Sequence, residues 1–184
     1  PFLNKLNACK KASNNWIALI DSDNFADEEY FKKAHKFINE TKPENNSILS
    51  PDYGTEIFQW GHLSRIDGNH CILNNKTYNK LNDIDRQQSN GNISHILNLG
   101  NCIINKYMTD NININNNKNI ILKSFCFDVV LMNLMFFEQF NMNFYIIKDM
   151  KYTHSISDDS IYKTTIDKYR KYADQTYVKI YNYL

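Results

Sequence analysis

Two carboxylates one residue apart, Asp21 and Asp23, follow the apolar run WIALI at residues 16–20. At the end of a buried strand, acids so spaced can both reach a hard divalent cation. Mg²⁺ or Mn²⁺ held by one or two protein carboxylates completes its shell with substrate phosphate oxygens. Open α/β sheets bind ligands at the carboxyl ends of their parallel strands, which is where Asp21-Ser22-Asp23 falls. Acids also end strands and cap the next helix for structural reasons, so this trio alone leaves both readings open. Asp128 opens a strongly apolar stretch. A carboxylate there favours a helix N-terminus. His154, among Tyr152, Thr153 and Ser155, reads on its own as an ordinary surface histidine.

Weaker candidates surround these. Trp60-Gly61-His62 offers an aromatic face to a ligand, although a lone Trp after Ile57-Phe58 more often belongs to a core. Ser160 and Tyr162 read first as helix cap and core. His35, His70 and His95 lack partners at ligand spacing and read as structural. Nothing around Arg65 or Lys76 marks either as a phosphate contact.

The elements that must position these groups follow from periodicity. Residues 3–13 (LNKLNACKKAS) predict a short helix with a weak apolar stripe, and Asn14-Asn15 a turn. Residues 16–20 predict a strand buried on both faces, as in a parallel sheet. A helix over 26–38 comes next, with Asp27, Glu28 and Glu29 in its first turn and Tyr30, Phe31, Ala34 and Ile38 on one face. Residues 47–50, 57–60, 71–73 and 102–105 are short strand candidates, and Asp67-Gly68 suits a hairpin. Residues 82–92 read as a polar loop, and 110–119 (DNININNNKN) as an exposed loop or frayed helix. Order returns with a buried helix over 128–140, a strand over 143–147 and a long helical pattern over 158–184. Helix, strand, acidic loop, helix is the opening of an α/β unit.

Composition narrows the class. The chain has 184 residues, 42% hydrophobic and 14% aromatic, which suits one domain with a real core. A formal charge of +1 gives no global field for nucleic acid or an anionic membrane. No apolar run approaches the roughly 18 residues of a spanning helix, and Asn133 breaks the longest. The four cysteines show no CxxC spacing, so buried thiols in a reducing compartment are expected. Asn fills 28 positions, so chance alone yields about three Asn-x-Ser/Thr sequons. The four at Asn39, Asn45, Asn75 and Asn92 therefore say nothing of secretion. With no signal peptide at the visible N-terminus, a cytoplasmic location is expected.

Two other users of Asp-x-Asp fit poorly. Haloacid-dehalogenase phosphatases place Thr or Val two residues after the second Asp, where this chain has Phe25. An EF-hand loop fails on Phe25 and on Lys32 at its closing Glu position. Residues 4–38 instead resemble the middle of the GT-A fold of glycosyltransferase family 2. There a helix rich in small residues precedes a strand, Asp-x-Asp, an acidic turn and a helix, although the Gly often found early in that helix is missing here. Phe127-Asp128, the strand over 144–147 and Tyr152-x-His154-x5-Ser160-x-Tyr162 resemble the region where GT-A enzymes carry a base Asp and a later metal-binding His. Gly100-Asn101 is similar to a recurring Gly-Asn near the donor or acceptor sugar. The resemblance covers roughly residues 4–170, and it is the order of the motifs that carries it.

The resemblance implies an α/β, GT-A-like (Rossmann-like) mixed sheet flanked by helices. It implies a divalent cation, Mn²⁺ or Mg²⁺, on Asp23, with Asp21 helping and His154 as third ligand. Asp21, Ser22, Asp23 and Asn101 would meet the nucleotide-diphosphate sugar, and Asp128 would be the base of an inverting transfer to a glycan, lipid or protein hydroxyl. The family's first strand, helix and strand, which build the nucleotide-base pocket, do not precede Pro1. Residues 1–184 are therefore expected to form one partial domain lacking its N-terminal nucleotide-binding strands, with 158–184 a C-terminal helical segment. Two rivals remain: a degenerate GT-A module that binds glycans or a protein, and a phosphatase using Asp21 as nucleophile.

Overall fold

The computed structural model describes residues 1–21, 24–54, 58–59, 70–73, 101–153, 155 and 161–183. Helix α1 (Phe2–Lys11) buries Phe2, Leu6 and Cys9, one stripe at i, i+4 and i+7. Burying a side chain such as Phe2 or Leu6 stabilises the fold by roughly 2 kcal/mol. Lys10 and Lys11 in the last turn complement the helix dipole.

Strand β1 (Trp16–Leu19) corrects one expectation. It is antiparallel to β5 (Cys102–Asn105), pairing Trp16 with Asn105 and Leu19 with Cys102. Among the described residues it lies at one end of the sheet, largely half-buried, with Ala18 exposed. A short apolar run fixes neither the depth at which a strand is buried nor the direction of its neighbour. Neither the burial on both faces nor the parallel pairing expected here therefore follows from it. β5 is also antiparallel to β2 (Ser47–Gly54), and β2 is parallel to β6 (Asn143–Tyr152). β1, β2 and β6 therefore point the same way, and Asp21 sits at the edge where all three end.

Among the described residues the sheet has six strands, five in the order β1-β5-β2-β6-β4, with β4 (His70–Leu73) antiparallel to β6, and a sixth, β3 (Phe58–Gln59), paired to β2. Pro51 lies in β2 beside a register shift between Pro51 and Tyr53, after the pairing with β5 has ended at Leu49. A missing N–H is tolerated at such an irregularity. Opposite it, Asp149 of β6 takes a left-handed conformation at φ 59°, which Asp accepts better than most residues. The N–H of Asp149 donates to the buried Asp52 Oδ2 at 2.7 Å. Strand β6 is longer than its apolar run predicted because this irregularity carries the pairing past Ile147 to Tyr152.

Helix α2 (Glu28–Thr41) starts two residues later than expected because Asp27 is its cap, accepting the Tyr30 N–H at 2.9 Å. Tyr30, Ala34 and Phe37 are buried, whereas Phe31, expected on that face, is exposed. The asparagine-rich segment forms short helical pieces: α3 (Lys106–Asn111), a 3-10 turn (Asn115–Asn117) and α4 (Lys118–Ile121). Helix α5 (Asp128–Phe140) has the predicted bounds and is buried without a break from 128 to 137. It packs against α6 (Ile161–Tyr183), whose Ala173 and Thr176 are buried. The expected turn at Asp67-Gly68 and the polar loop over 82–92 lie outside the described residues. No described helix is long and apolar enough to cross a membrane.

Candidate functional site

The site is built at the shared edge where β1 and β6 end and β5 begins. Asn101 stands just before β5 and is 1% exposed. Its side-chain oxygen accepts the main-chain N–H of Asp21 at 3.2 Å, and its carbonyl accepts the hydroxyl of Tyr30 at 3.1 Å. The buried Tyr152 hydroxyl, from the last residue of β6, lies beside the Asn101 side chain. Burial holds both phenols well above the ordinary tyrosine range, so each stays a neutral hydroxyl. Asn101 therefore knots β1, α2 and β5 together beneath Asp21.

Above that knot, one ammonium joins two acids. Lys5 Nζ lies 3.0 Å from Asp21 Oδ1 and 3.2 Å from Asp128 Oδ2. The Asp21 side chain is 37% exposed and that of Asp128 only 10%. Burial raises the Asp128 carboxyl above its usual range, and Lys5 opposes that rise. For Lys5, burial disfavours the ammonium, but Asp128 and Asp21 together outweigh it and the net shift is upward. Lys5 is a residue of this cluster that no sequence expectation included. Its signal was present, because position 5 is i+3 from Phe2 and i−4 from Cys9. It is a cation beside the inward stripe of its helix.

The loop beyond Asp23 is clamped to the end of β6. Phe25 and Thr153 exchange two main-chain bonds, of 2.9 Å and 2.8 Å, and the Ser155 N–H donates to Asn24 Oδ1 at 3.0 Å. The residues just after Asp23 thus pair with residues on either side of His154. Ser22, Asp23 and His154 themselves lie outside the described residues, as do Trp60-Gly61-His62, Arg65, Lys76, His95 and Ser160, while Tyr162 is described in its main chain alone. Among the described residues no group of three His, Cys, Asp or Glu side chains could hold a metal. The chemistry of the donor set still fits a hard cation: Asp21 presents a half-exposed carboxylate at the strand end, and the clamp draws the two flanking chains together. His35 is exposed on α2, within hydrogen-bond distance of the Asn39 side-chain amide.

No curated protein sequence matches the chain. The sequence model described as glycosyl transferase family 2 matches residues 3–112. Asp21, Ser22, Asp23 and Asn101 lie inside that span, and Lys5 with them, while Asp128 and His154 lie beyond it. The matched span runs from α1 through α3, and the mixed sheet flanked by helices agrees with a GT-A-like fold. The match covers more than half of the chain, which therefore belongs to glycosyl transferase family 2.

Proposed function

We propose that this chain is the part of a metal-dependent, inverting glycosyltransferase that carries the cation ligands and the base. The donor is a nucleotide-diphosphate sugar and the acceptor a hydroxyl of a glycan, lipid or protein. The observation that carries the reading is the pair of acids, Asp21 at a strand end and Asp128 at a helix start, gathered on the Lys5 ammonium. Such a pair separates two duties: oxygen donors facing solvent for binding, and a buried carboxylate for proton transfer.

Asp128 takes the proton of the acceptor hydroxyl as its oxygen attacks the anomeric carbon. The bond to the donor diphosphate breaks in the same displacement, and the diphosphate leaves with the electron pair. A carboxyl raised by burial is a better base than a solvated one. Asp23, with Asp21 helping directly or through water, and His154 would hold the cation. When bound, that cation neutralises charge building on the leaving diphosphate. Buried free thiols at Cys9, Cys102 and Cys126 support a reducing, cytoplasmic setting.

The test is nucleoside diphosphate release from a panel of nucleotide-sugars, with and without Mn²⁺. Titration calorimetry of Mn²⁺ with UDP on wild type and Asp23→Ala accompanies it. Mn²⁺-dependent release supports transfer. No release from any donor would turn the reading to a degenerate binding module. Equal calorimetric binding by wild type and variant would remove Asp23 as a ligand.

A further inference from the structure

Asp21 and Asp128 come from distant parts of the chain, yet each has an oxygen within ion-pair distance of one Nζ. The ammonium belongs to a third element, α1, and its side chain is 22% exposed. We infer that Lys5 is a positioning residue for glycosyl transfer, holding the base carboxylate of Asp128 in fixed relation to the strand end at Asp21. The inference rests on the transferase reading above.

A buried carboxylate without a cationic partner either takes up a proton or turns toward water. Asp128 cannot move with its backbone, because the helix that follows it is buried through residue 137. Its side chain is therefore the free variable, and Lys5 is what the structure places against it. A lysine suits this role, because three donors on a compact charge can serve two carboxylates approaching from different sides. Lys5 is held in turn, since α1 is anchored by Phe2, Leu6 and Cys9 on either side of it. Among the described residues, the charged side chains that act on Asp128 are Lys5 from α1 and Asp21 from the end of β1. Lys5, Asp21 and Asp128 together carry one net negative charge, so the ammonium orders the acids without cancelling their attraction for a cation.

The experiment compares the wild-type chain with Lys5→Met and Lys5→Arg. Thermal unfolding, calorimetric binding of Mn²⁺ with UDP, and kcat from pH 5 to 9 are measured, the last on the nucleotide-sugar that wild type turns over fastest. Lys5→Met is expected to bind Mn²⁺ and UDP within about twofold of wild type but to lose about tenfold or more in kcat. Its acid limb should move upward by about one pH unit, as expected for a base deprived of its cation. Lys5→Arg should recover most of both. If Lys5→Met does not fold, Lys5→Gln supplies the uncharged variant with a hydrogen-bond donor retained. A charge-free variant with wild-type kcat and acid limb overturns the assignment. So does a variant whose kcat and Mn²⁺–UDP binding fall together without recovery by Arg. A wild type that turns over no donor overturns the transferase reading instead, and the role of Lys5 in transfer with it.

Discussion

The side-chain oxygen of Asn101 accepts the main-chain N–H of Asp21 at 3.2 Å, across 80 positions of sequence. The bond joins the start of β5 to the end of β1 and sets where the acidic loop leaves the sheet. Replacing Asn101 by Ala removes the side-chain acceptor of the Asp21 N–H. The expected loss of stability is about 1–3 kcal/mol, read by urea unfolding. An Asn101→Ala chain as stable as wild type would show that the knot contributes nothing.

Asp128→Asn keeps the size of the base but removes its proton affinity. Turnover of the donor to acceptor should fall about 10²- to 10⁴-fold, with Mn²⁺–UDP binding retained. Lys5 then faces an amide on one side and keeps Asp21 on the other. Turnover within a factor of about three of wild type would exclude Asp128 as the base.

Asp52 carries a pH signature away from the site. Burial lifts its carboxyl from 3.8 to about 6, against the stabilising N–H of Asp149. An acid that binds its proton more tightly when folded stabilises the fold at low pH and loses that contribution as pH rises through its folded value. Stability should therefore decline between about pH 4 and 6 by on the order of 3 kcal/mol. Asp52→Asn should flatten most of that slope, leaving the part from Asp128, which is raised in the same sense. Urea midpoints for both proteins from pH 4 to 7 measure it, and an unchanged slope in Asp52→Asn would refute the account.

Cys102 is 1% exposed, and burial pushes its thiol up to about 12. At pH 8 only about one molecule in ten thousand carries the thiolate there. Iodoacetamide at pH 8 should leave Cys102 unmodified in the native chain and alkylate it fully in 6 M guanidinium, as read by peptide mass spectrometry. Rapid native labelling would place Cys102 in a more open setting than its burial describes.

Much of the frame was legible from local pattern. The strand over 102–105 and the helix over 128–140 emerged with the bounds the sequence implied. Both carry strong apolar signals ended by abrupt polar residues, and periodicity reads such segments well. Asp21, Asp128 and Asn101 were likewise visible as candidates, because each stands at an element boundary.

What local pattern missed has a common cause. The direction of β1, the register shift at Pro51 and the clamp between Phe25 and Thr153 depend on which distant segment lies alongside. Asp52 carried no expectation from the sequence, and only the neighbouring β6 makes it a buried, hydrogen-bonded acid. Lys5 shows the same limit: its helix was expected, but its two partners come from elsewhere in the chain.

The sequence by itself determined the elements, the family and the candidate acids, because those follow from side-chain periodicity and motif order along the chain. Only the tertiary structure decided that one ammonium serves both Asp21 and Asp128, and that Asn101 holds the strand end from below. Ion pairs and hydrogen bonds act over a few ångströms of space whatever the separation in sequence, so these relationships exist only once the chain has folded.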